Sequence, residues 1–181
     1  MRTLILGSLV LAFSGCGAGV SPEVYAVVVD FFTLPDSCYT NNAQPSNVTV
    51  SAAPVLLNVQ VWDGPDNTAI LELEGGIRSI DLGDAPTVTL TGLMKGKKGT
   101  GATWNFAAET VQKSTQVGRT LTDTSKLELN MERGNTFKGT ANITSSRACA
   151  GSTCVGTQPS CAVSGVALSG TRLQVAYERA P

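Results

Sequence analysis

The feature that most constrains this chain is a hydrophobic alternation of period two. In 68–74 (TAILELE), Ala69, Leu71 and Leu73 share one face, and Thr68, Glu72 and Glu74 take the other. In 87–91 (TVTLT), Val88 and Leu90 oppose three threonines. Segment 103–109 sets Trp104, Phe106 and Ala108 against Thr103, Asn105 and Glu109, and 126–132 (KLELNME) sets Leu127, Leu129 and Met131 against Lys126, Glu128, Asn130 and Glu132. Phe137, Ala141 and Ile143 share one face of 135–146, and Leu173, Val175 and Tyr177 close the series. Side chains alternate faces along an extended chain, so each segment reads as a half-buried strand with a wet outer face.

Between these runs lie turn signals at 63–67, 74–76, 82–84, 95–99, 133–135 and 169–171, rich in Gly, Asn, Asp and Pro. Glycine and asparagine tolerate positive φ, and proline fixes the φ of turn entry. No window of ten residues carries a capped helical stripe. The expectation is an all-β chain: a single antiparallel β-barrel or β-sandwich domain of short strands joined by hairpin turns. The first strand, 23–34, is apolar on both faces and is expected to be covered on both or central. Asp30 interrupts its second face and reads as a solvated carboxylate at a strand mouth. Residues 35–47 read as a long loop.

The N-terminus carries the address. Arg2 precedes an apolar run over 3–13, which ends in Phe13-Ser14-Gly15-Cys16. Eleven residues at ~1.5 Å each span roughly 17 Å, about half of a ~30 Å hydrocarbon core, which favours a signal h-region over a spanning helix. Phe13-Ser14-Gly15-Cys16 resembles the lipobox of bacterial lipoproteins, with Phe where Leu is more usual. The resemblance covers residues 1–16. It implies cleavage of 1–15, acylation of Cys16, a short lipid-anchored tether over 16–22, and a β domain over 23–181. Gly17 after the cysteine implies sorting to the outer membrane in a diderm bacterium. Several acyl chains would anchor the chain to the membrane stably without a transmembrane helix.

Five cysteines are present. With Cys16 acylated, Cys38, Cys149, Cys154 and Cys161 remain, an even number that reads as two disulfides in an exported chain. The preferred pairing is Cys149–Cys161 across the base of a long hairpin, which leaves Cys38–Cys154. Spacings of x₄ and x₆ without a CxxC disfavour zinc.

Composition removes several function classes. The chain has no histidine, which excludes His-based triads and His-ligated metals. A net charge of −1 and 15% charged residues give no basic surface for nucleic acid. Polarity comes instead from 15 Ser and 21 Thr. The 63–67 turn lacks the ligand pattern of a calcium loop. Glu72 and Glu74 lie on the outer face of their strand, and no cleft is implied for them or for Asp81 and Asp84 as a glycosidase pair. Lys95, Lys97 and Lys98 read as a solvated tip, with contact to anionic lipid as the alternative. Lipocalins carry a G-x-W fingerprint in the first strand. Here Trp104 lies mid-chain, three residues after Gly101, so that fingerprint is absent. Trp104, Phe106 and Phe137 are expected to fill the core. The expected function is that of a lipid-anchored, non-enzymatic envelope protein without cofactor, with a structural or interaction role. The alternative is a barrel that carries a small apolar ligand, lipocalin-like in architecture only.

Overall fold

The computed structural model describes residues 21–30, 32–40, 43, 55–73, 78–90 and 92–174. The leader, Cys16, most of the tether, Val175 and Tyr177 lie outside the described residues. Eight strands close into an antiparallel barrel: β1 (Glu23–Val29), β2 (Val55–Asp63), β3 (Thr68–Leu73), β6 (Leu93–Lys98), β7 (Thr103–Gln116), β8 (Arg119–Arg133), β9 (Thr136–Ala150) and β10 (Ser160–Leu173). The remaining two, β4 (Arg78–Leu82) and β5 (Ala85–Leu90), form a separate hairpin inserted between β3 and β6. Without that insertion the strands follow one another around the ring in chain order. The ring closes where β10 pairs with β1, Leu173 opposite Val24 through Leu168 opposite Val29. Of barrel and sandwich, the chain forms the barrel.

The alternation places the core. Ala69, Leu71, Leu73, Phe106, Leu127, Leu129, Met131, Phe137, Ala141 and Ile143 are all buried. Tyr25 meets Phe137 across the interior, ring centroids 5.5 Å apart. Trp104 shares the inward face but lies in the end layer of the barrel. It is half-buried and packs against the core cluster.

Two readings of glycine need correction. The KGKK segment is strand β6 and not a turn; the turn follows at 99–102. Gly96 faces inward opposite Phe106, and a Cβ there would lie 2.4 Å from the ring. Likewise 169–171 is interior to β10, where a Cβ on Gly170 would meet the Ala26 carbonyl oxygen at 2.3 Å. Both glycines serve close packing in a tightly coiled small barrel, a use that looks like a turn signal in sequence. Strands β7, β8 and β9 are also long, at 14, 15 and 15 residues, where short strands were expected. β1 stops at Val29, its outer face is only partly covered with Val28 36% exposed, and Asp30 is exposed as read. Leu173 points outward, 39% exposed, because β10 keeps Val166 and Leu168 inside.

The preferred disulfide pairing is also overturned. The bonds are Cys38–Cys161 and Cys149–Cys154. The register explains it: Cys161 lies opposite Ser145 on β9, four residues short of Cys149. Cys149 is left at the far end of β9, within reach of the loop that carries Cys154. Cys161 points inward and is buried, where it meets Cys38 from the 3-10 turn Asp36–Cys38. The β4–β5 hairpin lies over the same end of the barrel. Leu82 and Val88 are buried in the common core. Ser145 Oγ donates to the Pro86 carbonyl at 2.5 Å. The Asp84 amide donates to the Cys38 carbonyl at 3.0 Å, and the Thr40 amide to Asp84 Oδ2 at 2.7 Å.

The two bonds close loops of very different length, with sequence separations of 123 and 5. The chain-entropy relation assigns about 5 kcal/mol to the first and about 2 kcal/mol to the second. Replacing Cys38 and Cys161 together by Ala should therefore lower unfolding free energy about twice as much as replacing Cys149 and Cys154, in denaturant titrations of the oxidised protein.

Candidate functional site

The two ends of the barrel differ in chemistry. At the end where β1 enters, β8 terminates in Arg133. Parity along β8 puts residues 127, 129, 131 and 133 on the inner face, so the last inward residue is a charged one. Its side chain is 5% exposed. Nη1 donates to Asp63 Oδ1 at 2.7 Å and Nη2 to Glu23 Oε2 at 2.7 Å, so β8 is tied to the ends of β2 and β1. The guanidinium carbon lies 4.6 Å from the centroid of the Trp104 ring, a cation–π distance, and Trp104 in turn stacks on Phe106 at 6.2 Å. Tyr25 donates its hydroxyl to Glu23 Oε2 at 2.6 Å, and Arg172 reaches Glu23 Oε1 at 3.0 Å. Arg133 Nε is buried and has no partner among the described residues.

The electrostatics follow from these contacts. Burial alone would raise the Glu23 pKa. The Tyr25 hydroxyl, Arg133 and Arg172 outweigh it and hold the carboxyl below its ordinary value. Tyr25 is pushed up to about 12, first by burial and then by its bond to the Glu23 carboxylate. Burial also works against the Arg133 charge, but Asp63 and Glu23 prevail, so its pKa is raised. Charged groups assembled this way act as a structural clamp: breaking one buried partner leaves the others uncompensated.

At the opposite end, β7, β8 and β9 run past the barrel as a three-stranded ribbon, and β5 packs across its inner face. Between them lies a cleft of about 240 Å³, lined in part by Thr89, Thr110, Gln112, Asp123, Ser125 and Arg147. Arg147 grips Asp123 with two bonds of 2.7 Å. Its pKa is raised, chiefly by that pairing, against a smaller opposing effect of burial. The lining is hydroxyl, amide and ion pair, suited to hydrogen-bonding polar groups. Beyond the cleft, the β7–β8 turn and the Cys149–Cys154 loop sit side by side. The Thr153 amide donates to the Gly118 carbonyl at 3.3 Å. This tip displays Val117 at 99% exposure and Val155 at 80%.

The residues singled out in sequence therefore separate. Phe106 and Phe137 are deep core, Trp104 belongs to the Arg133 cluster, and the four cysteines staple the ribbon end. Lys95, Lys97 and Lys98 are exposed along β6. Arg133, Glu23, Tyr25 and Asp63 were missed as a group. The alternation that places Leu127, Leu129 and Met131 inside also places Arg133 inside, and a charge at an inward position signals a buried pair.

The sign of the Tyr25 effect is definite. Its folded pKa exceeds the unfolded value of about 10, so its contribution is intact below pH 10 and is lost as pH rises toward 12. A tyrosinate absorbance titration should show one of the three tyrosines ionising near 12, and Tyr25→Phe should remove that step. Trp104→Ala should cost about 2–4 kcal/mol, less than a fully buried tryptophan, because the ring is half-buried and loses one cation–π contact. A change under about 0.5 kcal/mol in the denaturation midpoint analysis would show the ring to be dispensable.

No protein-family model, curated protein or solved structure matches this chain.

Proposed function

We propose that the protein is a lipid-anchored component of a bacterial cell envelope, exported and attached to the membrane through acylated Cys16. Its barrel serves as a non-enzymatic interaction module that uses no cofactor. The observation that carries this reading is the lipobox-like Phe13-Ser14-Gly15-Cys16, seven residues before the first barrel strand. A seven-residue tether reaches at most about 25 Å when fully extended. The end bearing Glu23, Asp63 and Arg133 would thus lie near the bilayer, with Lys97 and Lys98 on the same end of β6. Anionic headgroups would favour those two lysines, each by about 1 kcal/mol when close to the surface. The ribbon, its polar cleft and the exposed Val117 and Val155 would then point away from the membrane, where a partner can reach them. Gly17 favours the outer membrane as the site of attachment. Two disulfides fit an oxidising compartment.

Carriage of a small apolar ligand is the weaker reading. An eight-stranded barrel can enclose one. Here Tyr25, Phe106, Phe137 and Met131 occupy the interior as fully buried side chains, which favours a packed core over a ligand chamber.

Metabolic labelling with a fatty-acid analogue tests the anchor. The wild-type chain should take the label and fractionate with membranes, and Cys16→Ser should lose both. A Cys16→Ser chain that keeps the label would overturn the reading.

A further inference from the structure

Strand β7 is 14 residues long, yet β6 pairs with it only from Trp104 to Ala107. Beyond that point its other neighbour, β8, continues to Gln116 opposite Arg119. Residues 109–116 thus form a strand with one edge paired and, among the described residues, one edge open. Backbone direction follows from Thr103, whose amide donates to the Thr100 carbonyl and whose carbonyl accepts from the Gly99 amide, both on the β6 side. Register along β7 is unbroken, so Glu109, Val111, Lys113 and Thr115 also aim N–H and C=O away from β8. Among the described residues these groups have no backbone partner. All four side chains are exposed, Val111 at 51%.

From this edge we infer that two copies of the chain pair antiparallel through β7, with Val111 opposite Val111 of the second copy on a two-fold axis. In that register Glu109 of each copy lies opposite Lys113 of the other. An exposed apolar pair is thereby flanked on both sides by opposite charges. On the inner face Thr110 lies opposite Gln112, a neutral hydrogen-bonding pair. Because the outward-aimed residues are the ones that pair, the contact forms about six ladder hydrogen bonds between the copies. Directly opposed unlike charges stabilise such a pair and like charges destabilise it. Registers centred on Glu109 or on Lys113 would oppose like charges, so the charge pattern selects the one centred on Val111.

A lysine on an edge strand is also a common block to pairing. Here Lys113 stands at the mirror position of Glu109 about Val111. Self-pairing neutralises it, whereas an unrelated apolar strand would meet it uncompensated. Neither charge has an ion pair at contact distance among the described residues: Lys126, opposite Glu109 on β8, is bonded to Glu128 and attracts Glu109 only through space, and Lys113 lies opposite Thr122. The joined edge would merge two ribbons into one six-stranded surface carrying both polar clefts. The two-fold points the strand-entry ends of the two copies in opposite directions, so a pair held by its tethers to one membrane lies along the surface, and the upright orientation given above is that of a single copy.

Disulfide trapping on the full chain, extracted in mild detergent, tests it. Val111→Cys should give a linked dimer under mild oxidation, with the 111–111 bond located by mass mapping of peptides. Glu109→Cys and Lys113→Cys should each give little dimer alone but a mixed dimer when combined. Adding Glu109→Lys to Val111→Cys should cut the yield about tenfold, and adding Lys113→Glu as well should restore it. That restoration separates a register effect from misfolding. A reactive thiol at position 111 that forms no dimer, a yield indifferent to charge reversal, or a 113–113 bond as strong as the 111–111 bond would each overturn the inference.

Discussion

The pairing of β10 with β1 is the contact on which the rest of the structure depends. It joins residues 24–29 to 168–173 and turns an open eight-stranded sheet into a ring. An open sheet would expose the hydrogen-bonding edge of β1, whose sequence EVYAVVV is the kind of strand that pairs with foreign chains. The closure requires close backbone approach, and Gly170 supplies it: any side chain there would occupy the position of the Ala26 carbonyl. The ring also fixes which residues face inward on every other strand, because a one-residue slip at the seam would turn the whole set over.

Each end of the ring is closed by different physics. At the strand-entry end, charges do the work. Arg133 gathers Glu23 and Asp63 from two other strands and lies over Trp104. Such a cluster is costly to desolvate and adds more to specificity than to net stability. At the ribbon end, closure is covalent and apolar: Cys38–Cys161 fastens the loop after β1, and Leu82 and Val88 of the inserted hairpin complete the core. This division leaves β7, β8 and β9 free to extend past the barrel, which is why the cleft and the open edge occur there.

Much of the fold was legible in the sequence because alternation is a local signal. Four inward-facing runs were read correctly, Val88 of a fifth is buried, and the turn at 63–67 is where it was expected, with Asp66 and Asn67 at positive φ. What failed was nonlocal. Whether Gly96 and Gly170 mark turns or tight packing depends on Phe106 and Ala26, residues distant in sequence. The cysteine pairing depends on the β9–β10 register, which a bulge between Val163 and Val166 shifts. The sheet could equally have been a sandwich until the β1–β10 seam was seen. The Arg133 site was half legible: its inward parity was readable, but its partners Glu23 and Asp63 lie 110 and 70 residues away.

The seam has a temporal consequence. Both the strand pairing that closes the ring and the Cys38–Cys161 bond join the beginning of the domain to its end. A chain emerging from its N-terminus therefore holds β1 unpaired on one edge, and Cys38 reduced, until the last strand arrives. Contacts of such long sequence span form late, and their loop-closure entropy slows folding. During that interval the apolar run 24–29 is the segment most open to capture by another chain. Maturation is thus all-or-none in time as well as in space: a truncation that removes β10 would strand the first strand as surely as the last.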